Sequence, residues 1–236
     1  MAPGETLLQT DTEATLRAVL KQAADEAMQR GCDAIIASGD LAHTPIVSIY
    51  ERFLSILSDY FSVPTLTLPG NHDVLRAMQE AGMSMDPIFW EDWHLQGLDS
   101  HEDDRPKALV TELDRQAVAQ GLEQGAARWV LLATHHPLVA IDCPWLDKDR
   151  IKGPLELMNW LHDVSDQRLC GAVFGHAHQE VAGRVGAWPV FGVPSTCFQF
   201  RPRSAKFAVD DNAPGYQWLN LAEDGTVNRA VSRVSL

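Results

Sequence analysis

Apolar positions along this chain change their spacing in a regular order. Leu16, Val19, Leu20, Ala23, Ala27 and Met28 recur at helical intervals, the mark of a helix with one buried face. Asp11 suits the N-cap and Gly31 the turn after the last carbonyls, so the pattern predicts a helix over 11–30. The short apolar run 34–37 predicts a buried strand, and Ile46, Ile49, Tyr50, Phe53, Leu54 and Leu57 a second helix. Further strands are predicted at 65–68, 93–98, 129–133 and 171–174, with a helix led by Pro154 and carried by Leu155, Met158, Leu161 and Val164. Residues 83–110 are looser and include a charged loop at 100–106. The last part turns to strands, at 188–191, 217–221 and 227–234, with Glu223-Asp224-Gly225 as a hairpin turn. Strands alternating with helices predict βα layering and an α/β (α+β type) fold.

Four polar motifs each follow one of these apolar runs: Gly39-Asp40, Gly70-Asn71-His72-Asp73, His135-His136-Pro137 and Gly175-His176-Ala177-His178. Strand ends are where such a sheet gathers distant residues into one crevice. Carboxylate, amide oxygen and imidazole are the donors that a hard or borderline dication accepts. Each motif also has a plainer reading. Asp40 suits a helix N-cap, Gly70-Asn71 a turn, the two histidines after 129–133 a capped strand end, and His176 and His178 a surface loop. In extended geometry His176 and His178 share one face and reach one centre. His43, His94, His101 and His162 have no such context, and of these His43 is the one best placed to line a pocket.

Composition narrows the chemistry. The chain has 236 residues, 45% of them apolar, and no linker composition divides it, so one domain is expected. With 19 Lys+Arg against 32 Asp+Glu the net charge is -13. That excludes a broad basic footprint for nucleic acid and requires a phosphate substrate to be attracted locally, by bound cations. Cys32, Cys143, Cys170 and Cys197 form no C-x-x-C pair and are read as small buried hydrophobes. No apolar run is long enough to span a membrane, and the opening residues lack a signal-peptide pattern, so a cytoplasmic location is expected. There is no G-x-S-x-G elbow and no Gly-rich phosphate loop.

Taken together, the four motifs resemble the calcineurin-like metallophosphoesterases. Cys143-Pro144-Trp145-Leu146-Asp147, residues 194–200 and Ala213-Pro214-Gly215 resemble, more narrowly, the bacterial class III 3′,5′-cyclic-AMP phosphodiesterases. The resemblance implies a β-sandwich flanked by helices, and hydrolysis of cyclic AMP to 5′-AMP by a hydroxide activated between two divalent ions, iron, manganese or zinc. It implies that Asp40 bridges the ions, that Asn71, His135 and His176 complete the second, and that His178 serves the first. His72 contacts the phosphate and protonates the leaving oxygen, Asp73 supports His72, and Asp40, Asn71, His72 and His178 line the substrate. The family also carries D-x-H on its first strand, and nothing ahead of Asp40 matches it. The first ion is then left with Asp40 and His178, the 236 residues are expected to be slow or inactive, and the natural product is expected to carry a further strand of roughly 5 to 10 residues upstream. Another phosphoester substrate, or a non-catalytic metal- or nucleotide-binding role, stays open. Expected partners are a small cyclic nucleotide, with no nucleic acid and no membrane.

Overall fold

The computed structural model describes Gly4, residues 6–103 and residues 105–235. Residues 1–3, Glu5 and Leu236 lie outside the described residues, as does Asp104 of the charged loop. The chain opens with a small antiparallel pair, β1 (Thr6–Leu7) and β2 (Thr10–Asp11), followed by α1 (Thr12–Arg30), β3 (Ile35–Ala37), α2 (Val47–Ser58), β4 (Thr65–Thr67) and α3 (Leu75–Glu80). Next come β5 (Ile88–Phe89), β6 (Trp93–Leu98), α4 (Glu112–Glu123), β7 (Trp129–Thr134), α5 (Pro144–Asp147), α6 (Pro154–Val164) and β8 (Leu169–Phe174). The remainder is β9 (Val181–Val185), β10 (Trp188–Gly192), β11 (Gln199–Phe200), β12 (Val209–Asp210), β13 (Gly215–Leu221) and β14 (Val227–Arg233).

Helix α1 begins and ends as its sequence predicts. Asp11 accepts from the Ala14 amide at 2.9 Å, and Gly31, at φ 79, returns its N–H to Ala27 O, a backbone conformation that glycine adopts without a Cβ penalty. Helix α4 had no predicted counterpart. Of its apolar residues Val118 and Leu122 are buried while Leu113 is 75% exposed, so the helical period is interrupted. Its start is marked instead by a capping box between Thr111 and Asp114.

The principal sheet has six strands in the order β5-β6-β7-β8-β10-β9, with β6, β7, β8 and β10 parallel. On one face Val130, Leu132, Ala172 and Phe174 pack against Val118 and Leu122 of α4 and Leu157 and Leu161 of α6. On the other, Leu95, Leu131, Ala133 and Val173 meet Leu66 and Leu68, and also Val227, Leu219 and Leu221. The second layer of the sandwich is therefore made of two separate ribbons, β3–β4 and β13–β14. Outside the first ribbon, Leu20 of α1 packs with Ile56 and Leu57 of α2, while Tyr50 of α2 packs with Met78 of α3. This is the expected β-sandwich with helices on its outer faces.

Among the described residues the two ribbons do not join. Ile35 and Ala37 exchange backbone bonds with the β4 side, so the Ile36 amide and carbonyl point to the opposite edge. β3 and β13 both line a cavity of about 1520 Å³, together with Leu16, Val19 and Leu20 of α1 and Leu95, Leu131 and Val173 of the large sheet. All four cysteines are free. Cys143 is buried as expected, whereas Cys32, Cys170 and Cys197 are half-buried. No helix among the described residues is long and apolar enough to cross a membrane.

Candidate metal centre

All four motifs arrive at the mouth of this cavity, at the C-terminal ends of β3, β4, β7 and β8. Asp40 follows β3, Asn71 follows β4 by one short turn, His135 immediately follows β7, and His176 follows β8. Close approach of these loops depends on two glycines. A Cβ on Gly70 would overlap the Asp40 carboxylate and the His135 ring, and one on Gly39 would overlap the His135 ring and the Gly70 backbone. Both motifs need Gly for steric reasons beyond turn formation.

The side chains converge with their acceptors inward. His135 Nδ1 lies 2.7 Å from Ser38 O, so the proton sits on Nδ1 and the Nε2 lone pair is turned into the site. That Nε2 lies 3.3 Å from Asn71 Oδ1, 3.2 Å from His176 Nδ1 and 3.5 Å from Asp40 Oδ2. His176 Nδ1 is 3.0 Å from Asn71 Oδ1, and its Nε2 is buried with no hydrogen-bond partner. A carboxylate oxygen, an amide oxygen and two imidazole nitrogens crowded together offer more lone pairs than protons, an arrangement that a divalent cation satisfies. The donor set fits a metal on these grounds.

Burial opposes charge on His176 and His178. It pushes His176 well below the usual histidine value, with His135 and His136 adding to the effect. His178 is lowered by burial to about 4. Burial by itself would raise the Asp40 carboxyl, but His135, His72 and His176 together with the His72 amide bring it down to about 2. At neutral pH Asp40 is therefore a carboxylate and His176 and His178 are neutral imidazoles, the forms that ligate.

Two expectations are corrected by the geometry. Asp73 does not orient His72. Its carboxylate accepts from the amides of Leu41, Ala42 and Gly70 and from the Tyr50 hydroxyl, all at 2.9–3.1 Å. It ties the Asp40 loop to the Asn71 loop, an employment dictated by its 1% exposure among backbone donors that would otherwise be orphaned. His72 itself is exposed at the mouth, with the His43 ring 6.2 Å away. The second correction concerns His176 and His178, which do not share a face of an extended segment. Both are left-handed, at φ 56 and 48, as is Asp40 at φ 56, a conformation costing non-glycine residues on the order of 1 to 2 kcal/mol each. The His178 Nδ1 is held 2.9 Å from Phe198 O.

His136, which the resemblance leaves outside the ligand set, belongs to the cluster physically. Its ring is fully buried, with a nitrogen within 4.8 Å of ligand-capable nitrogens of both His135 and His176. Its Nδ1 lies 3.0 Å from Ser100 Oγ and its Nε2 3.3 Å from Pro106 O, so both nitrogens are already engaged and the residue acts as a rigid backing. Burial lowers it to about 3. Of the other histidines, His43 lines the cavity, His94 is buried, His101 lies between Asp99 and Asp103, and His162 packs on Trp188.

Residues 10–180 match the family model described as calcineurin-like phosphoesterase. The chain belongs to the calcineurin-like phosphoesterase family. It is 32% identical to the 3′,5′-cyclic adenosine monophosphate phosphodiesterase CpdA of Escherichia coli K12, over 98% of this chain and 84% of that protein. It is 31% identical to the protein of the same name from Pseudomonas aeruginosa, over 98% of this chain and 85% of that one. A probable cyclic nucleotide phosphodiesterase of Psychrobacter arcticus is also 31% identical, over 93% and 83%. Among solved structures the fold is similar to that of PhoD, with a TM-score of 0.53 at 11% identity over 92% of this chain and 65% of that one. It is also similar to GAP50 of Plasmodium, with a TM-score of 0.56 at 9% identity over 99% and 86%.

Proposed function

We propose that the cavity mouth is the active site of a metal-dependent hydrolase that opens 3′,5′-cyclic AMP to 5′-AMP. The observation that carries this reading is the convergence of Asp40, Asn71, His135 and His176, with the buried His176 Nε2 left without a hydrogen-bond partner. The names borne by relatives at 31–32% identity over nearly the whole chain supply the substrate. Asp40, Asn71, His135 and His176 would hold one divalent ion, and Asp40 with His178 a second; manganese, iron and zinc all suit these nitrogen and oxygen donors. Bound ions of this kind make water acidic enough to attack near neutral pH and neutralise charge on phosphoryl oxygens.

The chain's own residues supply orientation and protons. Ser38 O and Phe198 O fix the tautomers of His135 and His178 through Nδ1. His72, exposed beside Asp40 and anchored through its amide to Asp40 Oδ1 at 2.9 Å, is placed to donate a proton to the leaving O3′ as water adds to phosphorus and the P–O3′ bond breaks. Asp73 keeps the Asp40 and Asn71 loops in register.

The test is a substrate panel of 3′,5′-cyclic AMP, 2′,3′-cyclic AMP and a phosphomonoester with added manganese. Preferential release of 5′-AMP from the first compound supports the reading, and preference for either other compound overturns the substrate while leaving the site. Binding without turnover is the second reading. It is favoured by the open side of the centre, where among the described residues only Asp40 and His178 of the expected set stand. AMP binding with no hydrolysis of any panel member would select it.

A further inference from the structure

The cavity does not end at the metal-ligating residues. Beyond His178 it is walled by Trp145, Phe198, Phe200 and Phe207. The Phe200 ring lies nearly parallel to the His178 imidazole, with centroids 4.3 Å apart and planes at 15°. Trp145 meets Phe200 edge-on at 4.9 Å and Phe207 at 5.4 Å, and Phe200 and Phe207 are 5.6 Å apart. A purely structural aromatic cluster would be closed over. Here Phe207 is 54% exposed and still borders the cavity.

The loop between two of these rings carries charge of the opposite sign to the net charge of the chain. Phe200 and Phe207 flank a loop that contains Arg201, Arg203 and Lys206, all exposed, and none of the three forms an ion pair among the described residues. In a chain of net charge -13, three unpaired cations beside exposed rings form a local attractor for an aromatic anion. The loop is closed by Arg201 N–H donating to Ala208 O, and it meets the start of α5 through the Cys143 thiol, 3.3 Å from Ser204 O and 3.8 Å from Arg201 O.

We propose that Trp145, Phe200 and Phe207 form the base subsite of the nucleotide, one imidazole step from the metal centre, and that Arg201, Arg203 and Lys206 draw the anion to it. This rests on the cyclic-nucleotide reading and adds residues that set how substrate is held. Rings offer stacking to any base, so the subsite supplies affinity for a heterocycle more than discrimination between purines.

The experiment compares the affinity of 5′-AMP with that of ribose 5-phosphate, by calorimetry with manganese present, in the 236-residue protein and in Phe207→Ala, an exposed position whose truncation spares the core. Wild type should bind AMP more tightly. The ratio should fall on the order of 10-fold in Phe207→Ala with ribose 5-phosphate unchanged, and Phe207→Trp should restore it. Replacing Arg201, Arg203 and Lys206 together by Gln should weaken both ligands alike and flatten their salt dependence. A ratio unmoved in Phe207→Ala, or a wild type that binds AMP no better than ribose 5-phosphate, overturns the subsite. Cyclic AMP turnover measured on the same samples separates the two ideas. Absent turnover with a falling ratio sinks the hydrolase reading alone, and turnover with a fixed ratio sinks the subsite alone.

Discussion

The two sides of the metal centre are built on different supports. His135 and His176 leave β7 and β8, strands paired on both edges in the middle of the six-stranded sheet, and Asn71 and Asp40 are drawn to them within 3.0–3.5 Å. His178, on the loop that follows the same strand β8, has no hydrogen bond to these donors among the described residues, and its Nδ1 is held by one bond to Phe198 O. Where donors lie within hydrogen-bonding distance of one another they are gathered before any ion arrives, and where one stands outside that set it is held by its own turn and a single backbone contact.

The sharpest way to break this contrast is to remove one ligand from each side. Asn71→Ala should abolish tight manganese binding and lower turnover by more than the roughly 100-fold typical of outer-shell changes, whereas His178→Ala should weaken one class of ion and leave the other. Equal effects in a manganese titration of the two variants would contradict the distinction. A smaller effect should follow from Asp73→Ala, which strands the amides of Leu41, Ala42 and Gly70. At about 1 to 3 kcal/mol for a buried donor left unpaired, urea denaturation should show a loss of several kcal/mol, and a loss under about 1 kcal/mol would remove Asp73 as the tie between the loops.

The smallest effect is a pH dependence on the closed side. His94 of β6 is fully buried, its Nε2 3.0 Å from Gln96 Oε1, and burial lowers it to about 4 from an ordinary 6.5. Because the folded value lies below the unfolded one, its stabilisation is complete above about pH 6.5 and is lost as the pH falls from there toward 4, at up to about 1.4 kcal/mol per unit. His94→Gln should flatten the fall in unfolding free energy between pH 7 and 5, and an unchanged slope would assign the dependence elsewhere.

Much of this architecture is legible in the chain because burial and period coincide. Helix α1, strand β6 and the four motif-bearing strand ends all follow from spacing and caps. Helix α4 is hidden because Leu113 points outward and only Val118, Gly121 and Leu122 are buried; the Thr111–Asp114 capping box was the available signal. The ligand types could be read from the motifs, but the turn that separates His178 from His176 could not, since positive φ at non-glycine residues contradicts local preference. Asp73 and His136 were misread or passed over for a related reason. Their partners are backbone groups and hydroxyls brought in from remote loops, and sequence spacing carries no record of those.

The most direct test is the formation of 5′-AMP from 3′,5′-cyclic AMP by residues 1–236 with added manganese, with Asn71→Ala measured beside it. The account predicts slow turnover that requires the metal, stops on chelation and disappears in Asn71→Ala. Absence of turnover at saturating manganese, or turnover that Asn71→Ala leaves intact, would contradict it.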